Sequence, residues 1–453
     1  MVDRSPVTLC ALLLCSLMLH AACADPEKGL SVSHAGGEDA GNTQSDGSLP
    51  TASDAGRDVE RTFVADASEP PPGLPAERKS DASLHAGASP EAGIPAQPPP
   101  SSLDAGAADA GIAGPGPVFP ADGEPLKAAD DTWTYIELAD TQCRDGSPAG
   151  LAVSLRGASK KLMIFLEGGG VCQDPQTCLI NLANTSEQRA EQRAGVFDRT
   201  NAGNPVKDWN VVYVPYCTGD MHAGAKPDGM VANVGPQKFV GYLNLQKVLA
   251  RVVPTFPAVT DVVLTGVSAG GFGASQAAPL VQRAFPNVKV RMVSDSAPQL
   301  SKTVIPACLQ TIYRTSWNLE QTYLAECGHA CPNKDDFLQD YAVFLAKSFA
   351  DRPSGLIASI RDSTVADYFG IGSNNCTGVL YLTPVPGQTF QAGLLALRDA
   401  LAPYPSFSTY LMPGTQHMWL NDSSFYTGSA GGVKLVDWFS TVAAGQVPGN
   451  AGP

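Results

Sequence analysis

Ser268 stands between two glycines, each two residues away, in Gly266-Val267-Ser268-Ala269-Gly270, directly after the apolar run Val262-Val263-Leu264. Where a buried strand breaks into a helix through so tight a turn, the serine hydroxyl is lifted above the sheet edge, and the flanking glycines leave room for the crowded backbone. A serine hydroxyl is a poor nucleophile until a base takes its proton. The motif therefore predicts a histidine and a carboxylate further along the chain, in the order Ser, Asp/Glu, His.

Three histidines follow residue 126: His222, His329 and His417. His222 precedes the serine, and His329 lies between Cys327 and Cys331. His417 follows the apolar run Thr409-Tyr410-Leu411-Met412 and the turn Pro413-Gly414-Thr415-Gln416, where a loop after a last strand carries the general base. Two aspartates compete for the carboxylate that orients the imidazole. Asp295 follows the first strand-like run after the serine, and Asp362 follows the second, Leu356-Ile357-Ala358-Ser359-Ile360. The second position suits the acid better, which leaves Asp295 as a polar cap or a pocket wall. Leu166-Glu167-Gly168-Gly169-Gly170-Val171-Cys172 places a glycine run directly after an early strand. Glycines let backbone N–H groups approach a developing oxyanion, and the N–H of Ala269, after the nucleophile, supplies one more.

Elements that could position these groups alternate along the chain. Strand signals fall at Leu151–Leu155, Leu162–Leu166, Val211–Val214, Val262–Thr265, Val288–Val293, Leu356–Ile360 and Thr409–Met412, several of them continuously apolar. Strands buried on both faces of a parallel sheet read that way. Helical periodicity is clearest at Tyr242–Val252 and Phe337–Phe349. The pattern predicts an α/β fold of hydrolase type, a mostly parallel central sheet flanked by helices.

Composition divides the 453 residues into three segments. Residues 1–23 hold an apolar run, Val7–Leu19, after Arg4, which suits an export signal and is short for a membrane span. His20-Ala21-Ala22-Cys23 resembles a bacterial lipoprotein processing site, so Cys23 is a candidate for lipidation and membrane anchoring; an ordinary cleaved signal is the alternative. Residues 24–126 are rich in Ala, Gly, Pro, Ser and Asp and carry seventeen acidic against five basic residues, most of the chain's net charge of −14. Such a segment buries too little apolar surface to fold and self-repels into an extended tether. Residues 127–453 are nearly neutral and form the catalytic domain, with no phosphate loop and no basic stripe to suggest a nucleic-acid partner. Of the eleven cysteines, eight fall in this last segment. An even set in an exported domain favours disulfides, with Cys172 and Cys178 the evident short loop; Cys327-x3-Cys331 around His329 lacks the second ligand pair that zinc needs. Asp220-Met221-His222 reads as a substrate contact or a turn held by Cys217. Asn184 and Asn421 open formal glycosylation acceptors.

The glycine loop ending in Cys172, together with Tyr216-Cys217-Thr218-Gly219-Asp220, Gly266-Val267-Ser268-Ala269-Gly270-Gly271 and Val293-Ser294-Asp295-Ser296, resembles the pectin acetylesterase and Notum family over about Tyr135 to Leu420. The resemblance implies an exported, cofactor-free serine carboxylesterase. Its nucleophile would be Ser268, its acid Asp362 and its base His417, with oxyanion donors at the N–H groups of Gly169, Gly170 and Ala269. It departs from many relatives before the loop cysteine, where an aromatic residue is replaced by Val171. The implied substrate is an ester, foremost acetyl groups on an extracellular polysaccharide. Lipid or acyl-protein esters are the alternative within the class, and a catalytically silent surface-binding lipoprotein is the alternative outside it.

Overall fold

A computed structural model describes residues 122–185, 192–377 and 383–453. The expected signal segment, Cys23 and nearly all of the tether lie outside the described residues. Ten strands matter here: β1 (Trp133–Gln142), β2 (Pro148–Ser154), β3 (Lys161–Leu166), β4 (Asn210–Val214), β5 (Lys226–Val231), β6 (Gly235–Phe239), β7 (Asp261–Val267), β8 (Val290–Asp295), β9 (Ser354–Ser359) and β10 (Phe407–Met412). Eight of them form one sheet in the order β1-β2-β4-β3-β7-β8-β9-β10. The pairs β1–β2 and β2–β4 are antiparallel, and every pair from β4 to β10 is parallel. β5 and β6 make a separate hairpin.

The continuously apolar strands are explained by two cores. Along β3, Leu162, Ile164 and Leu166 join the core on one face, while Met163 and Phe165 join the core on the other. Eight helices matter to the site and its cover: α1 (Pro175–Ile180), α2 (Gly241–Thr255), α3 (Ala269–Ala284), α4 (Ala307–Ser316), α5 (Phe337–Ser348), α6 (Ser363–Gly370), α7 (Gly387–Leu401) and α8 (Leu435–Ala443). The first core takes Leu245 and Val248 of α2, Leu280 of α3, Leu345 of α5 and Leu394 of α7. The second takes Trp438, Phe439 and Val442 of α8. Helices thus cover both faces, as parallel strands require.

All seven strand signals correspond to strands of the large sheet, and both helical signals correspond to α2 and α5. β1 carried no such signal. It is an edge strand with mostly half-exposed or exposed residues, so its face is not written as an apolar run. The eight cysteines pair as Cys143–Cys217, Cys172–Cys178, Cys308–Cys376 and Cys327–Cys331. The last pair places His329 in an exposed one-turn loop.

Candidate active site

Ser268 sits between the end of β7 and the start of α3 with φ of 55°. That left-handed backbone is costly for a residue with a Cβ and persists only where neighbours over-determine it. They do so here. A Cβ on Gly266 would run into the Gly270 carbonyl, and one on Gly270 into the Leu166 carbonyl. The Ser268 N–H donates to the Asp295 carbonyl at 2.8 Å, and its own carbonyl accepts from Gly271 and Phe272 at 2.8 and 3.1 Å.

His417 is carried on the loop after β10. Its Nδ1 lies 2.8 Å from Oδ2 of Asp362, which follows β9 and opens α6. An ionised carboxylate only accepts, so Nδ1 holds the hydrogen and Nε2 keeps the lone pair that could take a proton from a hydroxyl. Oδ1 of Asp362 accepts the Val365 N–H at 3.0 Å. One carboxylate therefore caps a helix and fixes the imidazole, and its side chain is only 1% exposed.

Asp295, the competing carboxylate, is brought to the same loop in another way. Its Oδ2 accepts the N–H groups of Trp419 and Leu420 at 2.7 and 2.8 Å, and its Oδ1 accepts the Ser296 hydroxyl at 2.9 Å. The Ser296 hydroxyl oxygen in turn accepts the Met418 N–H at 2.9 Å. Three consecutive amides after His417 are thus held from the end of β8. Burial pushes the Asp295 carboxyl up to about 6, and the two backbone donors only partly offset it. Sequence alone gave this cradle no signal beyond a polar pair ending a buried strand.

The glycine loop passes beside the elbow. A Cβ on Gly168 would lie 2.9 Å from that of Ser268, and Gly169 and Gly170 have φ of 152° and 75°. The N–H groups of Gly169 and Gly170 hydrogen-bond to no other described residue. Ala269 is the first residue of α3, where amides have no intrahelical partner. The loop is tied down from behind. Asn181 Nδ2 donates to the Gly169 carbonyl at 2.8 Å, and the buried Arg144 Nη2 donates to the carbonyls of Cys178 and Asn181 at 2.8 and 2.6 Å. The Cys172 N–H donates to Gly219 at 2.8 Å. His222 is buried, packs on Tyr216 with ring centroids 4.7 Å apart, and donates from Nε2 to the Glu167 carbonyl at 2.9 Å. Burial pushes its imidazole down to about 4, so it stays neutral. Asp220-Met221-His222 is a buried turn supporting the loop, joined through Cys217 to Cys143.

A serine elbow after the fifth strand of the large sheet, an aspartate after the seventh and a histidine after the eighth define a protein of the α/β-hydrolase fold. Residues 127–350 match the family model described as pectinacetylesterase, and over that stretch the chain belongs to the pectinacetylesterase family. The match includes Ser268 and the glycine loop and ends before Asp362 and His417. Among similar proteins, the palmitoleoyl-protein carboxylesterase NOTUM of Drosophila melanogaster is 30% identical over 220 residues, 44% of this chain and 33% of that protein. The palmitoleoyl-protein carboxylesterase notum1 of Xenopus laevis is 29% identical over 170 residues, 34% of each chain. The matched segments thus span about a third of the length of these relatives. In the solved structures, the Wnt deacylase Notum from Drosophila superposes with a TM-score of 0.54 at 23% identity, covering 69% of this chain and 94% of that one; this likeness bears on the fold.

Proposed function

We propose that this chain is an exported serine carboxylesterase. The observation that carries the reading is the 2.8 Å pair of His417 and Asp362 on strand ends of the sheet that also carries the strained Ser268. In this mechanism His417 Nε2 takes the Ser268 proton as Oγ attacks the ester carbonyl. The resulting oxyanion is held by the N–H groups of Gly169, Gly170 and Ala269. Collapse expels the alcohol, which takes the proton from His417, and leaves an acyl-serine. Water attacks that acyl-serine with His417 again as base, and the acid and free Ser268 result. Asp362 fixes the imidazole and stabilises its charged form.

The favoured substrate is an acetyl ester on an extracellular polysaccharide, which the pectinacetylesterase match supports. Deacylation of acyl-proteins is the second reading, supported by the names of the relatives. Export is supported by the apolar run Val7–Leu19 and by four disulfides in one domain. Lipidation at Cys23 would add a membrane anchor, and Cys23→Ser should then move the protein to the soluble fraction. The deciding experiment is turnover of p-nitrophenyl esters from acetyl to palmitoyl, with fluorophosphonate labelling. Ser268→Ala should lose the label and about 10⁴ to 10⁶ in turnover. A label that persists on the variant would overturn the assignment.

A further inference from the structure

Two consecutive residues behind the glycine loop hold a backbone conformation that a Cβ disfavours. Met221 and His222 have φ of 56° and 57°, and left-handed residues of this kind persist only where the surrounding structure over-determines them. Packing does so here. A Cβ on Gly241, the first residue of α2, would lie 2.6 Å from the His222 Cα. One on Gly273 of α3 would lie 2.7 Å from the Met221 carbonyl oxygen and 3.0 Å from the His222 Cβ. The fully buried Asp220 carboxylate accepts the Thr218 hydroxyl at 2.6 Å and the Gly241 N–H at 2.7 Å. The Tyr216 hydroxyl accepts the Met221 N–H at 2.7 Å. Two helices, a carboxylate and a phenol thus hold one strained turn, and such strain gathers where a group must be aimed.

What the turn aims is the His222 ring. A carbonyl oxygen only accepts, so Nε2 carries the hydrogen of the 2.9 Å bond to Glu167. That carbonyl belongs to the peptide unit joining Glu167 to Gly168, which is planar and moves as one body. Tyr216 grips the same stretch: its N–H donates to the Glu167 carboxylate at 2.7 Å, and its ring stands 3.1 Å from where a Cβ on Gly169 would lie. Three glycines in a row have no side chains to fix their own dihedrals, so the direction of their N–H groups must be imposed from outside. We propose that His222 is a positioning residue for the oxyanion donors. Through the Glu167 carbonyl it fixes the first peptide plane of the loop, and with it the aim of the Gly169 and Gly170 N–H groups. The inference rests on the esterase reading and deepens it, by adding to the triad a histidine that serves through the loop.

The test measures kcat and KM for p-nitrophenyl acetate on the full chain and two variants. His222→Phe keeps a ring on Tyr216 without a donor, and His222→Gln can donate from its amide in place of Nε2. Misplaced donors weaken the transition state and spare the ground state, so kcat should fall about 10²-fold in His222→Phe with KM unchanged. His222→Gln should recover most of that loss. A trifluoromethyl ketone, whose adduct with Ser268 carries an oxyanion, should lose affinity for His222→Phe by the same factor as kcat/KM. A purely structural role would lower the active fraction and leave that affinity unchanged. Tyr216→Phe, which removes the acceptor of the Met221 N–H, should lower kcat about tenfold at unchanged KM and carries the test if His222→Phe does not fold. Wild-type kcat in the folded variant would overturn the positioning role. So would an unchanged ketone affinity, or a His222→Gln as impaired as His222→Phe. Wild-type protein inert toward every p-nitrophenyl ester would instead sink the esterase reading, and the positioning role with it.

Discussion

Asp362 and Asp295 are both buried aspartates at strand ends that reach the His417 loop, yet one meets the ring and the other the backbone. Asp362→Asn should keep the shape and favour the wrong tautomer, with a loss of about 10⁴ in turnover. Asp295→Asn should cost about tenfold, because one carbonyl oxygen can still accept from Trp419 and Leu420 while the bond from Ser296 is disturbed. Turnover of p-nitrophenyl acetate by the two variants, with melts as a control, checks the order. The pH dependence of stability gives a separate signature. The folded Asp295 carboxyl lies at about 6, above its ordinary 3.8, so its contribution is fully present below pH 4 and is lost as pH rises through 6. Between pH 4 and 7 wild type should lose about 2 kcal/mol relative to Asp295→Asn, read by denaturant melts at those two values.

At the scale of elements, the elbow is a crossing of three backbones, with Gly270 against Leu166 of β3 and Gly168 against Ser268. Gly270→Ala should therefore push β3 and α3 apart, costing about 1–3 kcal/mol of stability and about 10² in turnover as the serine shifts. A melt and a p-nitrophenyl acetate assay on the same preparation would check both. The β7–Ser268–α3 unit was legible because its glycine spacing and apolar run are local. The loop anchors were not. Arg144 reaches the Cys178 and Asn181 carbonyls across 34 and 37 residues, and no local pattern records such a meeting. The ambiguity between Asp295 and Asp362 had the same origin: each follows a strand, and only the path of the loop after β10 decides which carboxylate faces the ring.

Across the whole molecule, the four disulfides differ in how much chain they close. Cys143–Cys217 and Cys308–Cys376 span 74 and 68 residues, whereas Cys172–Cys178 and Cys327–Cys331 span 6 and 4. Loop-closure entropy assigns about 4 kcal/mol to each long bridge and about 2 kcal/mol to each short one. Paired serine variants should follow that order in denaturant melts. A thiol titration of the denatured, unreduced domain should find almost no free thiol in residues 127–453. The central parallel strands were readable because both faces are apolar, while β1, with one face in water, needed its partner β2 to be recognised.

The short bridge Cys172–Cys178 has an importance that loop length does not measure. It closes the segment whose carbonyls Arg144 grips and from which Asn181 reaches Gly169. A chain newly made in a reducing compartment lacks that bridge, and the loop of Gly169 and Gly170 is left without that part of its backing. On the exported-esterase reading proposed above, acyl transfer would then await formation of the Cys172–Cys178 bridge outside the reducing interior. The enzyme would spare the esters of the cell that makes it.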